Sequence, residues 1–154
     1  MTARVYKSTG SWYLVKDENG KFYQARIKGK FKMDDITSTN PIAVGDIVEI
    51  DPENDMEDTV MISGIHDRKN YINRRSPSSK RLHHIIASNI DQSLLVATLR
   101  EPRTSQGFID RFLIACESFH VPAIVVLNKA DLFREKEKKQ YEAWKEMYEV
   151  IGYR

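Results

Sequence analysis

Asn128, Lys129, Ala130 and Asp131 directly follow the apolar run Ala123–Leu127. A carboxylate there can accept two hydrogen bonds from a flat base that presents adjacent N–H and NH2 donors. Guanine has that edge and adenine does not. Asn128 can tie the loop and reach a purine acceptor. Lys129 can lay its methylene stem over a ring while its ammonium stays wet. The greasy approach suggests a carboxylate withdrawn from water. A buried site of that kind rejects ligands that leave its polar groups unmatched. The same four residues also spell a polar turn with Asp131 as a helix N-cap.

The elements around the tetrad are legible. "SLLVATL" (Ser93–Leu99) and "PAIVVL" (Pro122–Leu127) read as short buried strands. "GFIDRFLIACESFH" places Phe108, Ile109, Phe112, Leu113 and Cys116 on one helical face. "REKEKKQYEAWKEMYEVIG" is a charged outer helix packed by Tyr141, Trp144, Tyr148 and Ile151 and closed by Gly152. Strand, helix, strand, helix predicts a parallel sheet with crossover helices. Ligands bind such open sheets beyond the carboxyl ends of the strands, where the tetrad falls.

Upstream the rhythm differs. Residues 1–66 hold four or five short β-prone runs with turn signals and no helical pattern, as in a small closed barrel. Glu18–Gly20 predicts a tight primed hairpin with Asn19 and Gly20 both at positive φ. "VGD" (Val44–Asp46) is a turn into the next strand. In "KFYQAR", Phe22, Gln24 and Arg26 alternate against Tyr23 and Ala25. Half of Trp12, Tyr13, Phe22 and Tyr23 should therefore face inward, and no single one is singled out for contact.

Between the two halves, residues 67–84 read as a basic linker. Arg68, Lys69, Arg74, Arg75, Lys80 and Arg81 face only Asp67, and "SPSS" is expected to prevent a regular element. With Lys28, Lys30 and Lys32 of "KGKFK", these cations form the candidate RNA-contact surface. The alternative is a set of solvated faces.

The totals set bounds. The 154 residues carry a net charge of only +2, so an anionic partner must meet a local patch. No apolar run approaches the ~20 residues that span a bilayer, and the N-terminus lacks a signal-peptide core. The lone Cys116 excludes an internal disulfide or a cysteine zinc site within this chain, and a reducing cytoplasm is the expected location. His83 and His84, with no further ligands beside them, are a poor metal site.

"NKAD" after an apolar strand resembles the guanine-specificity motif Asn-Lys-x-Asp of GTPases. No Gly-x-x-x-x-Gly-Lys-Ser/Thr phosphate loop precedes it or occurs anywhere in the chain. That order resembles one circularly permuted family, the bacterial small-ribosomal-subunit-dependent GTPase A. "VGDIVEI", "INRRS", "IASNIDQSLLVATL", "FIDRFLIACE" and "PAIVVLNKADL" are similar to successive segments of it, although Ser88 separates Ala87 from Asn89. The resemblance implies an oligonucleotide-binding (OB) barrel over 1–66, the linker 67–84, and from 85 to 154 the start of a permuted, partial α/β GTPase domain.

By that resemblance Asn128, Lys129, Ala130 and Asp131 bind guanine. The intact protein would be a cytoplasmic monomer that hydrolyses GTP with Mg2+ during assembly of the small ribosomal subunit, with that subunit and its rRNA as partners and no membrane. One Zn2+ would be held in a region beyond these residues. No catalytic or metal-binding residue can be carried over onto this chain. The 154 residues alone should therefore be inactive and bind guanine nucleotide weakly. The competing reading is a stand-alone RNA-binding OB module with a structural α/β appendage and no nucleotide.

Overall fold

The computed structural model describes residues 1–27, 41–53, 58–76 and 79–153, with the side chains of 74–76 and 79–83 excepted. Lys28, Lys30 and Lys32 lie outside the described residues, as do the side chains of Arg74, Arg75, Lys80 and Arg81. The chain divides into two units, Met1–Ile90 and Asp91–Arg154.

Five strands build the first unit's barrel: β1 (Thr2–Thr9), β2 (Trp12–Asp17), β3 (Phe22–Ile27), β4 (Ile47–Pro52) and β5 (Thr59–Ile65). Their order is β1-β2-β3-β5-β4, and β1 also pairs with β4, so the sheet closes. Closure removes the exposed edges that so short a sheet would present. Period-2 alternation carries Val5, Val15, Ala25, Val48, Ile50, Val60 and Ile62 inward, each essentially without solvent contact. Register stacks them: Val5 pairs with Val15, Ala25 with Val60, and Ile50 with Ile62.

The β2–β3 turn departs from the primed hairpin. Of its three loop residues only Gly20 takes positive φ, at 87°. Gly20 N–H donates to the Asp17 carbonyl at 3.1 Å, and Lys21 N–H donates to Asp17 Oδ1 at 2.8 Å. An acceptor at Asp17 favours this three-residue loop over a two-residue turn through Asn19.

Residues 67–84 correct the linker expectation. β6 (Tyr71–Ser76) and β7 (Ser79–Ser88) form an antiparallel ribbon whose register runs from Tyr71↔Ser88 to Ser76↔Ser79. The ribbon belongs with the barrel, which ends its unit at Ile90 rather than at residue 66.

A polar joint fastens ribbon to barrel. Asp46, fully buried, accepts from Ala43 N–H (2.8 Å), from Arg68 Nε and Nη2 (2.7 Å each) and from Ser88 Oγ. Arg68 also donates to the Pro41 carbonyl at 3.1 Å. Gly45 sits at φ 94°, and a Cβ there would lie 2.0 Å from the Ser88 carbonyl oxygen, so only glycine fits. Asn89 Nδ2 donates to the Gly45 carbonyl at 3.0 Å. "VGD" and "ASN" are thus two sides of one contact, and the extra Ser88 is one of its donors.

The second unit pairs β8 (Ser93–Thr98) with β9 (Ala123–Asn128) in parallel, joined by α1 (Gln106–Ser118) and followed by α2 (Glu135–Val150). Leu95, Ala97, Ile109, Leu113, Trp144 and Tyr148 form its core. Cys116 is buried on α1, as its face predicts. Some apolar assignments fail: Phe108 and Ile151 are 49% and 62% exposed, and in the strand expected to be buried Leu94 and Val96 are exposed as well.

Candidate nucleotide-base site

Register places Thr98 beside Asn128, so β8 and β9 end side by side. Both following loops therefore start at the carboxyl rim of the sheet. Past Asn128 the chain kinks: Lys129 takes the left-handed conformation, φ 60° and ψ 41°. Asn128 Oδ1 accepts the Lys129 N–H at 2.8 Å and holds the kink. A 3-10 turn, Ala130–Leu132, follows, with Leu132 N–H donating to the Lys129 carbonyl at 3.0 Å. Asparagine suits this place because its short amide bonds the adjacent backbone.

Asp131 is exposed, although the apolar run before it made its carboxylate look buried. Nor does it act as an N-cap. The 3-10 turn is preceded by Lys129, and α2 begins after Arg134, whose N–H donates to Glu137 Oε2 at 3.0 Å. No hydrogen bond or ion pair reaches the Asp131 carboxylate among the described residues. Ala130 is exposed between the two polar residues and adds no bulk at the rim.

The loop after β8 supplies contacts that sequence reasoning missed. Lys129 Nζ donates to the Glu101 carbonyl, and Thr98 Oγ1 donates to the Pro102 carbonyl. Thr98 N–H donates to Thr104 Oγ1 at 3.1 Å, and Thr104 N–H returns to the Thr98 carbonyl at 2.7 Å. The ammonium of Lys129 is therefore tethered rather than wholly in water, and its stem spans the two loops. No motif marks Glu101 or Thr104, because their role depends on strand register.

The RNA-contact candidates separate. Arg68 is committed to Asp46 and its side chain is only 14% exposed, so it is structural rather than a free cation. Lys69 is exposed, and its N–H donates to Asn89 Oδ1 at 2.8 Å. Arg74, Arg75, Lys80 and Arg81 lie on the β6–β7 ribbon. Of the aromatics, Tyr13 is buried and Tyr23 packs on the core, while Trp12 and Phe22 face out. Among the described residues no cluster of three or more His, Cys, Asp or Glu could hold a metal ion. Nor is any helix among the described residues long and apolar enough to cross a membrane.

Comparison with known proteins divides the chain earlier than its contacts do, ahead of the β6–β7 ribbon. Residues 2–60 match the RsgA N-terminal domain, and residues 65–154 match the RsgA GTPase family. A protein of Cytophaga hutchinsonii named small ribosomal subunit biogenesis GTPase RsgA is 53% identical over all of this chain and half of its own length. The protein of that name from Flavobacterium johnsoniae is 49% identical, over all of this chain and 48% of its own. Among solved structures, YjeQ from Thermotoga maritima superposes with a TM-score of 0.73 at 28% identity. YloQ, described as a circularly permuted GTPase, gives 0.69 at 29%. Each superposition covers 99% of this chain and 49% of the other. The chain thus spans about half the length of the relatives it matches.

Proposed function

This chain belongs to the RsgA GTPase family, and from that premise we propose that it is the base-recognition and RNA-docking part of a circularly permuted GTPase acting in small-subunit biogenesis. The observation that carries the reading is Asp131, an exposed carboxylate at the carboxyl rim of a parallel sheet with no partner among the described residues. It accepts the N–H and NH2 of guanine. Asn128 uses Oδ1 to hold the kink and keeps its NH2 for a purine acceptor. Lys129, tethered to Glu101, provides an apolar stem against the ring.

These residues fit the base of GTP or GDP. The nucleotide, when bound with Mg2+, supplies the phosphoryl group to be transferred to water. Holding its phosphates and the metal falls to parts that do not match any of these 154 residues, because the sequence contains no phosphate loop. A zinc ion, on the same reading, is also held outside them. The barrel and ribbon face rRNA of the small subunit, with Lys28, Lys30, Lys32, Lys69, Arg74, Arg75, Lys80 and Arg81 as the cationic contacts. The setting is cytoplasmic.

The test is nucleotide binding by the whole protein carrying Asp131→Ala and Asp131→Asn. Losing a charged hydrogen-bond pair of about 1.5–3 kcal/mol weakens GDP binding roughly 10- to 150-fold. Asp131→Asn should regain affinity for xanthosine diphosphate, whose base carries a carbonyl in place of the NH2. Unchanged GDP affinity in both variants would leave the stand-alone RNA module as the better reading.

A further inference from the structure

Two cations face each other on the outside of the barrel without a carboxylate between them. Arg4 of β1 is the direct register partner of Lys16 of β2. Like charges directly opposite on one sheet face repel. Neither forms an ion pair among the described residues. Their neighbours differ in this respect: Lys21 pairs with Asp58 at 3.2 Å, and Arg26, beside Trp12, pairs with Glu53.

The same spot exposes two aromatic rings. The ladder between β1 and β2 shifts register between Val5 and Lys7, which leaves Tyr6 as the extra residue. Such a bulge re-aims a side chain without breaking the sheet. Tyr6 is 49% exposed, and its ring meets Phe22 edge-on, centroids 5.5 Å apart. Phe22 is the register partner of Lys16 from the other side. Lys16 Nζ rests 5.8 Å from the Tyr6 centroid and 5.2 Å from that of Phe22. A groove lined by Thr2, Arg4, Tyr6, Lys16, Glu18 and Ile47 runs beside them. Glu18 is its one free carboxylate, since Asp17 accepts from Lys21 N–H and Tyr23 O–H.

We propose that this face of β1–β3 is a subsite for unpaired RNA, in which Arg4 and Lys16 take a backbone phosphate and the Tyr6 and Phe22 rings stack the adjoining base. The inference rests on the RNA-docking reading above and gives it a place on the barrel. An anion accounts for the facing cations, and a π face accounts for rings left in water. An acidic peptide meets only the first need. A duplex offers phosphates but keeps its bases stacked on each other. Lys16 is long enough to swing from the rings to a phosphate, which uncovers them for the base.

The 154-residue chain is titrated by fluorescence anisotropy with single-stranded oligouridine, an RNA duplex and polyglutamate. Each stacked base is expected to contribute about 5- to 150-fold in affinity. Tyr6→Ala with Phe22→Ala should lose that much for the single strand and little for the duplex. Tyr6→Phe should retain binding, while Phe22→Leu, which keeps apolar bulk, should not. Lys16→Gln should lower the salt slope by about one.

Wild-type affinity of the double variant for single-stranded RNA sinks the subsite and leaves RNA docking elsewhere on the chain. Failure of the wild-type chain to bind any RNA sinks both. Equal losses for polyglutamate and RNA would mean a protein-binding patch instead.

Discussion

Asp46 and Asp131 are the same residue type in opposite circumstances. Asp46 is buried, with four donors on its two oxygens, two of them the fork of Arg68. Asp131 is exposed and accepts nothing from the described residues. A saturated carboxylate serves the fold, and an unpaired one at a sheet rim is available to a ligand. Removing one partner of a buried pair leaves the other charge stranded. Arg68→Ala is therefore expected to destabilise the barrel unit by about 3–5 kcal/mol in urea denaturation. Arg68→Lys should recover only part, because an ammonium cannot bridge both oxygens. A change below about 1 kcal/mol, the range of an exposed pair, would return Arg68 to the surface cations. Composition could not distinguish Arg68 from its five basic neighbours. What sets it apart is Asp46, 22 residues away in sequence.

Both helices end by the same device. After α1, Val121 N–H donates to the Cys116 carbonyl and His120 N–H to Glu117, with His120 at φ 55°. After α2, Tyr153 N–H donates to Tyr148 and Gly152 N–H to Glu149, with Gly152 at φ 95°. Each is a Schellman motif. Gly152 announced the second in sequence, whereas His120 hid the first. Two tyrosines then tie the helices together. Tyr148 O–H donates to Asp110 at 2.8 Å and Tyr153 O–H to Glu117 at 2.9 Å. Burial, then the hydrogen bond to a carboxylate, raises both phenols above their ordinary value, Tyr153 to about 12. A raised folded-state pKa favours the protonated form. This stabilisation is complete below pH ~10 and is lost as the phenols ionise at higher pH. The α/β unit should accordingly lose stability above pH ~10 in chemical denaturation, and Tyr148→Phe should flatten that dependence. An identical slope in the variant would mean that other groups control alkaline unfolding.

On the scale of the whole molecule, the α/β unit buries one side of its two-stranded sheet and leaves Leu94 and Val96 each 59% exposed on the other. It carries the tetrad proposed to read the base, and its sequence contains no phosphate loop. The purified 154-residue chain should thus show no GTP turnover in a phosphate-release assay, and turnover that survives removal of contaminating GTPases would overturn this. Much of the architecture was already legible. Alternating apolar residues announce the barrel strands, since a closed sheet has one dry face, and the run before "NKAD" announces β9. The β6–β7 ribbon was not legible: its stability lies in backbone pairing and in a joint to Gly45 and Asp46, and neither leaves an apolar pattern. Tyr6 turns outward beside Lys16 through a bulge, which is a property of register between strands. The sequence by itself determined which barrel positions must be dry and which tetrad offers an edge suited to a base, because solvation and hydrogen-bonding capacity belong to each side chain. Only the tertiary structure decided which charges are spent and which are free, because that depends on what distant segments bring within about 3 Å.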